Sequence, residues 1–153
     1  MNHREMMARL NAALNHVDAS YAAIGKRYGL TFNALMMVYL IVESKGITQK
    51  QLCDALHLPK STVHSILREW LETDYVQLRE GGNKKEKLIA ITATGGKFFE
   101  RIRIETDHLE KNVLDAFGEE NCSFFLASAE RLAELLQNET AKEYSTGGSP
   151  NEY

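Results

Sequence analysis

The sequence predicts a mainly α-helical protein: a winged helix-turn-helix with a small β-hairpin wing, flanked by N- and C-terminal dimerisation helices. Three observations predict this fold. Residues 47–72 have the pattern of a helix, a tight turn and a second helix. Residues 76–92 alternate like two strands around a glycine-containing tip, and both chain ends carry heptad seams. The second helix of such a unit fits the DNA major groove, so the layout indicates a DNA-binding protein.

A capping box marks the start of the first motif helix. Thr48 can cap the helix, and Gln51, three residues later, completes the box. The apolar residues that follow at helical spacing are expected to face a core: Leu52, Ala55 and Leu56. Pro59 lacks an N–H, so it ends this helix and suits the first turn of the next one.

The second motif helix has two faces. One is an apolar stripe formed by Val63, Ile66, Leu67, Trp70 and Leu71. The other carries short hydrogen-bonding groups and cations that can reach base edges and phosphates: Lys60, Ser61, Thr62, His64, Ser65 and Arg68. A solvated helix face is the alternative, but such faces are usually rich in Glu and Lys, and the first acid here is Glu69. This face is therefore predicted to bind DNA.

Two strands with period-two alternation follow the second helix. Val76 and Leu78 alternate with polar residues in the first strand, and Ile89 and Ile91 lie on one side of the second. Residues 81–83 (Gly-Gly-Asn) tolerate the positive φ of a hairpin tip. The basic residues of this hairpin are predicted to contact the DNA backbone or minor groove: Arg79, Lys84, Lys85 and Lys87. Alternatively, a basic tip can serve only to increase solubility. Its position beside a helix-turn-helix favours DNA contact.

Heptad seams occupy both ends of the chain. Residues 10–28 and 99–116 carry apolar side chains at alternating spacings of four and three. Gly118 ends the second of these helices, and Ser123 is placed to cap a last one. Such seams are more often intrachain core, but the winged unit already has its own core. We therefore expect a dimer contact through Leu10, Leu14, Val17, Tyr21, Leu109, Val113, Leu132 and Leu136.

These motifs divide the 153 residues into segments with separate roles. A winged unit is predicted at 30–93, and it includes a bracing helix at 30–43. The helical dimerisation region is predicted at 3–29 and 94–143. The last segment, 144–153, contains Ser-Thr-Gly-Gly-Ser-Pro and is predicted to be a disordered tail.

The charge distribution permits a nucleic-acid partner. The net charge is −3, yet residues 44–87 hold eight Lys or Arg against six Asp or Glu, whereas residues 105–143 hold three against ten. Such polarity favours one face toward an anionic polymer. No apolar run reaches membrane-spanning length and the first residues do not form a secretion signal, so we expect a cytoplasmic protein without a membrane partner.

No catalytic or metal-binding constellation is predicted, so an enzyme is the least favoured class and no cofactor is expected. His64 shares a helix face with Ser61, but no acid is placed to orient its imidazole. His108 has no His or Cys one turn away. Cys53 and Cys122 lie far apart, which suits a reduced compartment. Packing as a small hydrophobe is favoured for Cys53 over oxidant sensing.

The order and spacing of these motifs resemble the multiple-antibiotic-resistance regulator (MarR) family of bacterial repressors, over nearly the whole chain. The matching segments are 46–48 (Gly-Ile-Thr), 56–63 (Leu-His-Leu-Pro-Lys-Ser-Thr-Val), 74–76 (Asp-Tyr-Val), and 88–92 (Leu-Ile-Ala-Ile-Thr) followed by Gly95 or Gly96. The resemblance implies a homodimeric regulator, most often a repressor, bound to a pseudo-palindromic DNA site. Family wings usually carry Asp-Arg-Arg-x-Lys, whereas this chain has Asn-Lys-Lys-Glu-Lys. Lysine lacks the guanidinium fork, so this wing is expected to hold phosphates.

The resemblance also implies a small aromatic effector in a cleft between the winged unit and the dimer helices. The residues that could line it offer rings and a cation: His16, Tyr21, Arg27, Tyr28 and Tyr39. Core tyrosines with hydrated hydroxyls are the alternative. For the whole chain, the competing function is a winged-helix protein-interaction module without DNA affinity. Strongly salt-dependent binding to duplex DNA separates the two functions.

Overall fold

The computed structural model describes residues 1–82 and 86–145, which form six helices and one small sheet. In chain order the elements are α1 (His3–Arg27), α2 (Phe32–Glu43), β1 (Ile47–Thr48), α3 (Gln49–Leu56), α4 (Lys60–Glu72), β2 (Val76–Glu80), β3 (Lys87–Ile91), α5 (Ala93–Phe117) and α6 (Glu119–Ser145). The chain divides into two compact units, Met1–Thr106 and Asp107–Tyr153. The mainly helical winged helix-turn-helix is confirmed.

Side-chain caps begin the first three helices. Asn2 caps α1, and Thr31 caps α2 by accepting a hydrogen bond from the backbone N–H of Ala34 at 3.1 Å. The predicted capping box of α3 is confirmed: Gln51 N–H donates to Thr48 Oγ1 at 3.1 Å, and Thr48 N–H donates to Gln51 Oε1 at 2.8 Å. These bonds satisfy N–H groups that have no partner within the helix, so they define where each helix begins.

One apolar core holds the first unit together. Its buried side chains come from five helices and two strands: Ile24, Ala34, Leu35, Met37, Val38, Ile41, Leu52, Val63, Leu67, Trp70, Val76, Ile89, Phe99 and Ile102. The Trp70 and Phe99 rings are 5.1 Å apart, so α4 and the start of α5 share the centre of this core. The apolar stripe predicted on α4 is buried at Val63, Leu67 and Trp70, whereas Leu71 is 39% exposed. Ala55 of α3, predicted to face the core, is exposed.

The wing is part of a three-stranded antiparallel sheet with the order β1-β3-β2. The sequence predicted only the β2–β3 ribbon, because two residues are too few to show a period. Ile47 of β1 pairs with Ile89, whose other neighbour is Leu78 of β2. Ile89 is buried, but Leu78 is 50% exposed although it lies on the same side of β2 as the buried Val76. The reason is that β2 is an edge strand and only its first residue, Val76, lies over the core.

Two predicted boundaries near the C-terminus are wrong. As predicted, α5 ends at Gly118, which has a φ of +89°. However, α6 begins directly at Glu119 and not near Ser123. Cys122 N–H already donates to the carbonyl of Gly118 at 2.9 Å, so the first turn is complete before Ser123. The helix continues to Ser145, which places the first two residues of the predicted tail in α6. Residues 146–153 lie outside the described part of the chain.

The described part of the second unit contains the C-terminal half of α5 and the whole of α6. The Phe117 and Phe125 rings meet edge to face at 6.2 Å. Many of the unit's large apolar side chains are exposed: Leu109, Val113, Leu114, Phe117, Phe124, Phe125, Leu126, Leu135 and Leu136. None of the described helices has the length and apolar character needed to cross a membrane.

Candidate nucleic-acid interface

The outer face of α4 carries the side chains that the sequence predicted to read DNA. Ser61, His64, Ser65 and Arg68 are exposed along it, Lys60 is exposed at its first residue, and Thr62 is half-buried. The opposite face is buried in the core, so α4 cannot rotate without exposing Trp70 and its neighbours. The helix therefore presents short hydrogen-bonding groups at fixed positions, as readout of base edges requires.

The turn between α3 and α4 sets the direction of this helix. His57 ends α3 in the left-handed region with a φ of 51°, and Leu58 N–H donates to the carbonyl of Cys53 at 3.1 Å. Pro59 stands at the N-cap of α4, one position earlier than predicted, and has no side-chain acceptor for the first N–H groups. Gln49 Nε2 donates to the carbonyl of Lys60 at 3.3 Å and ties the two helix starts together.

The wing supplies cations beside α4. Arg79 is exposed on β2, and Lys87 is exposed on β3, where it lies directly opposite Glu80 in the ladder. Lys84 and Lys85, which the sequence also predicts to bind DNA, lie outside the described residues.

An open groove joins these elements. Its walls come from the starts of α3 and α4 and from the wing: Thr48, Gln49, Lys50, Cys53, Lys60, Glu86 and Lys87. Lys50 and Gln49 were not predicted from the sequence, where only the outer face of α4 and the hairpin showed a DNA-binding pattern. A basic residue two positions after a helix cap was the available signal, but nothing in the sequence places Lys50 beside Lys60 and Lys87. A groove with lysines from three elements can hold an anionic backbone.

Several cations of this face are paired with carboxylates of the same chain. Lys50 Nζ lies 2.7 Å from Asp54 Oδ2, Arg68 Nε lies 3.8 Å from Glu72 Oε1, and Lys87 Nζ lies 4.0 Å from Glu80 Oε1. The hydrogen bond to Asp54 raises the pKa of Lys50 above its ordinary value, because it stabilises the charged ammonium. All six side chains are exposed, so each pair is weak by itself.

The residues predicted to line an effector cleft form two contacts within the first unit. The Tyr21 and Tyr39 rings meet edge to face at 6.4 Å. Arg27 forms an ion pair with the carboxylate of Glu105, and the Tyr28 hydroxyl donates a hydrogen bond to the same carboxylate. The hydrogen bond from Tyr28 to Glu105 raises the pKa of Tyr28. Tyr39 also lines a narrow cleft between α2 and α5, whereas the remaining predicted residue, His16, is exposed on α1.

The predicted dimerisation residues differ in exposure. On α1, Leu14 and Val17 are exposed, Leu10 is half-buried, and Tyr21 packs against the core of its own chain. In the second unit, Leu109, Val113 and Leu136 are exposed and Leu132 is half-buried. The seam of α1 is therefore intrachain core near its C-terminal end, at Ile24, and open surface near its middle.

The cysteines and the possible metal ligands were also considered as functional sites. Cys53 and Cys122 are both free thiols, and Cys53 packs partly against the core. Within residues 1–82 and 86–145, no three His, Cys, Asp or Glu side chains are grouped so that they could hold a metal ion.

Comparison with known proteins connects this geometry to a family. Residues 28–86 match the family model described as "MarR family". An uncharacterised HTH-type transcriptional regulator of Bacillus subtilis, YwoH, is 27% identical over 127 residues, which cover 78% of this chain and 93% of that protein. A MarR family regulator from Neisseria meningitidis, NMB1585, superposes with a TM-score of 0.80 at 19% identity, over 94% of this chain and 99% of that one.

A second solved structure resembles this fold and includes nucleic acid. It is the S. aureus MepR–DNA complex, which superposes with a TM-score of 0.68 at 16% identity over 89% of this chain and 98% of that chain. At this identity the likeness concerns the fold alone.

Proposed function

We propose that this chain is a transcriptional regulator of the MarR family, and that it acts as a cytoplasmic homodimeric repressor that binds a pseudo-palindromic site in duplex DNA. The observation that supports this most directly is the exposed face of α4, whose opposite side is fixed in the core. The basic groove and the wing lie next to it, so base readout and phosphate contacts come from one surface. Proteins of this family regulate transcription and are not enzymes.

A second copy of the chain is the proposed occupant of two exposed apolar surfaces, one in each unit. Leu14 and Val17 of α1, and Val113 and Leu136 of the second unit, leave apolar area in water that a partner would bury. A two-fold dimer presents two α4 helices with opposite directions, and this symmetry requires a DNA site with two inverted halves.

We propose a small aromatic acid as the effector that releases DNA. The Tyr21–Tyr39 ring pair offers a surface for an aromatic ring, and Arg27 offers a cation that Glu105 now neutralises. Salicylate, as a simple aromatic acid, should lower the affinity of the wild-type protein for its operator. Arg27→Ala should abolish this response, whereas Arg131→Ala, which breaks an ion pair in the second unit, should keep it. DNA binding that stays unchanged at saturating salicylate contradicts this choice of effector.

If α4 reads the bases directly, substitutions on α4 and in the groove should change the affinities for operator and random DNA differently. Replacing His64 or Ser65 by alanine should cost roughly 1–3 kcal/mol on the operator and leave random duplex nearly unchanged, because each side chain faces base edges. Replacing Lys60 and Lys87 by alanine should weaken both DNAs alike and lower the salt slope by about one per lost phosphate contact in each subunit. The same uniform loss is expected for Lys84 and Lys85.

Operator fragments selected from the host genome, titrated beside random duplex at two salt concentrations, test these expectations. Equal losses on both DNAs for the His64 and Ser65 variants would mean that α4 positions the protein without reading sequence. Absence of salt-dependent binding to either DNA would favour the competing function, a protein-interaction module.

A further inference from the structure

We propose that Asp54, Glu72 and Glu80 are counter-charges that set the DNA affinity of this protein by competing with phosphates for its own cations. The proposal rests on the DNA-binding face described above. It assigns a function to three acids on a surface where a DNA-binding protein is expected to carry bases. These three are half of the six acids that offset eight bases in residues 44–87.

The first pair joins a lysine of the groove to an acid of the same helix. Lys50 lines this groove together with Lys60 and Lys87, so a backbone phosphate that enters it meets Lys50. In the free protein the ammonium of Lys50 already donates a hydrogen bond to Asp54, one helical turn further along α3. A phosphate that binds Lys50 must therefore displace the Asp54 carboxylate from the ammonium, or share the ammonium with it.

The other two pairs repeat this arrangement on the neighbouring elements. Arg68 pairs with Glu72 along the exposed side of α4. Lys87 and Glu80 are directly opposite in the β2–β3 ladder, where charged neighbours of opposite sign attract. Thus α3, α4 and the β2–β3 hairpin each hold one cation beside a carboxylate.

The consequence follows from simple electrostatics. A carboxylate about 4 Å from a cation lowers the attraction of that cation for a phosphate and repels the phosphate directly. The repulsion does not depend on base sequence, so the acids weaken binding to every duplex. Lys60 and Arg79 have no carboxylate within 4.0 Å among the described residues, and they provide contacts without this competition.

The test measures the affinity of the full-length protein for a random duplex at low and at high salt. Asp54→Asn, Glu72→Gln and Glu80→Gln should each bind roughly two- to fivefold more tightly at low salt, since an exposed ion pair has an effect of this size. The gain should shrink at high salt because these charges are exposed to screening. The triple variant should gain about the product of the three factors, because the pairs lie on different elements.

A matched control separates this effect from net charge. Lys111 and Asp115 form an exposed i,i+4 pair like that of Lys50 and Asp54, but in the second unit. Asp115→Asn changes the net charge by the same amount and should leave the affinity unchanged. In addition, Lys50→Ala should cost more affinity in the Asp54→Asn background than in the wild type, because only there is Lys50 fully available to phosphate.

Outcomes that contradict the proposal differ from those that contradict DNA binding. Unchanged or weaker binding by all three acid variants, with thermal unfolding like the wild type, overturns the counter-charge proposal. An equal gain in Asp115→Asn also overturns it, because net charge would then explain the result. If the wild type itself shows no salt-dependent binding, it is the DNA-binding function that fails.

Discussion

Gly95→Ala is expected to unfold the first unit or to destabilise it by more than about 3 kcal/mol, beyond the usual cost of overpacking. A Cβ atom at this position would lie 1.8 Å from the carbonyl oxygen of Tyr75 and 2.6 Å from its carbonyl carbon. No side-chain rotation relieves this clash, because the opposing atoms are backbone. The same backbone is tied to the start of α5, where Thr92 N–H donates to the carbonyl of Tyr75 at 3.1 Å. Urea unfolding followed by circular dichroism measures the loss.

The neighbouring glycine is the control. A Cβ at Gly96 would meet only the Ile91 Cγ2 atom, at 3.9 Å, which is ordinary contact. Because alanine is about 1 kcal/mol better than glycine inside a helix, Gly96→Ala should be neutral or stabilising. Equal stabilities for the two variants would contradict the close approach of α5 to the turn at Tyr75.

Val17→Glu is expected to separate the proposed dimer into folded monomers. In the single chain Val17 is 52% exposed, so a carboxylate there is tolerated. If a partner chain covers it, the same carboxylate is buried without a counter-charge, at a cost on the order of 3–5 kcal/mol, or more than a hundredfold in the dissociation constant. Sedimentation velocity at micromolar concentration measures the change in mass, and circular dichroism confirms that the helices remain.

Ala19→Glu provides the matched control on α1. Two residues along a helix correspond to a rotation of about 200°, so Ala19 faces away from the seam that contains Val17. Ala19 is also exposed, and this variant should keep the mass of the wild type. A Val17→Glu protein that stays dimeric would show that the middle of the α1 seam does not lie in the interface.

Local sequence signals determined the elements that carry the function. The Thr48–Gln51 capping box, the turn at Pro59 and the two faces of α4 all depend on residues within a few positions of one another. Helical periodicity and capping are properties of neighbouring residues, so they can be predicted without knowledge of the fold. The exposed face of α4 was predictable for the same reason, since the opposite face had to enter the core.

The tertiary structure alone decided what distant segments do together. The sequence could not choose between Gly95 and Gly96, because only the close approach of the Tyr75 backbone, in the turn before β2, requires the missing Cβ. It could not show that β1 joins the sheet, or that Lys50 shares a groove with Lys60 and Lys87. Spacing also could not separate the buried end of the α1 seam from its exposed middle. Each of these depends on which surfaces meet when the chain packs, and residues far apart in sequence determine that packing.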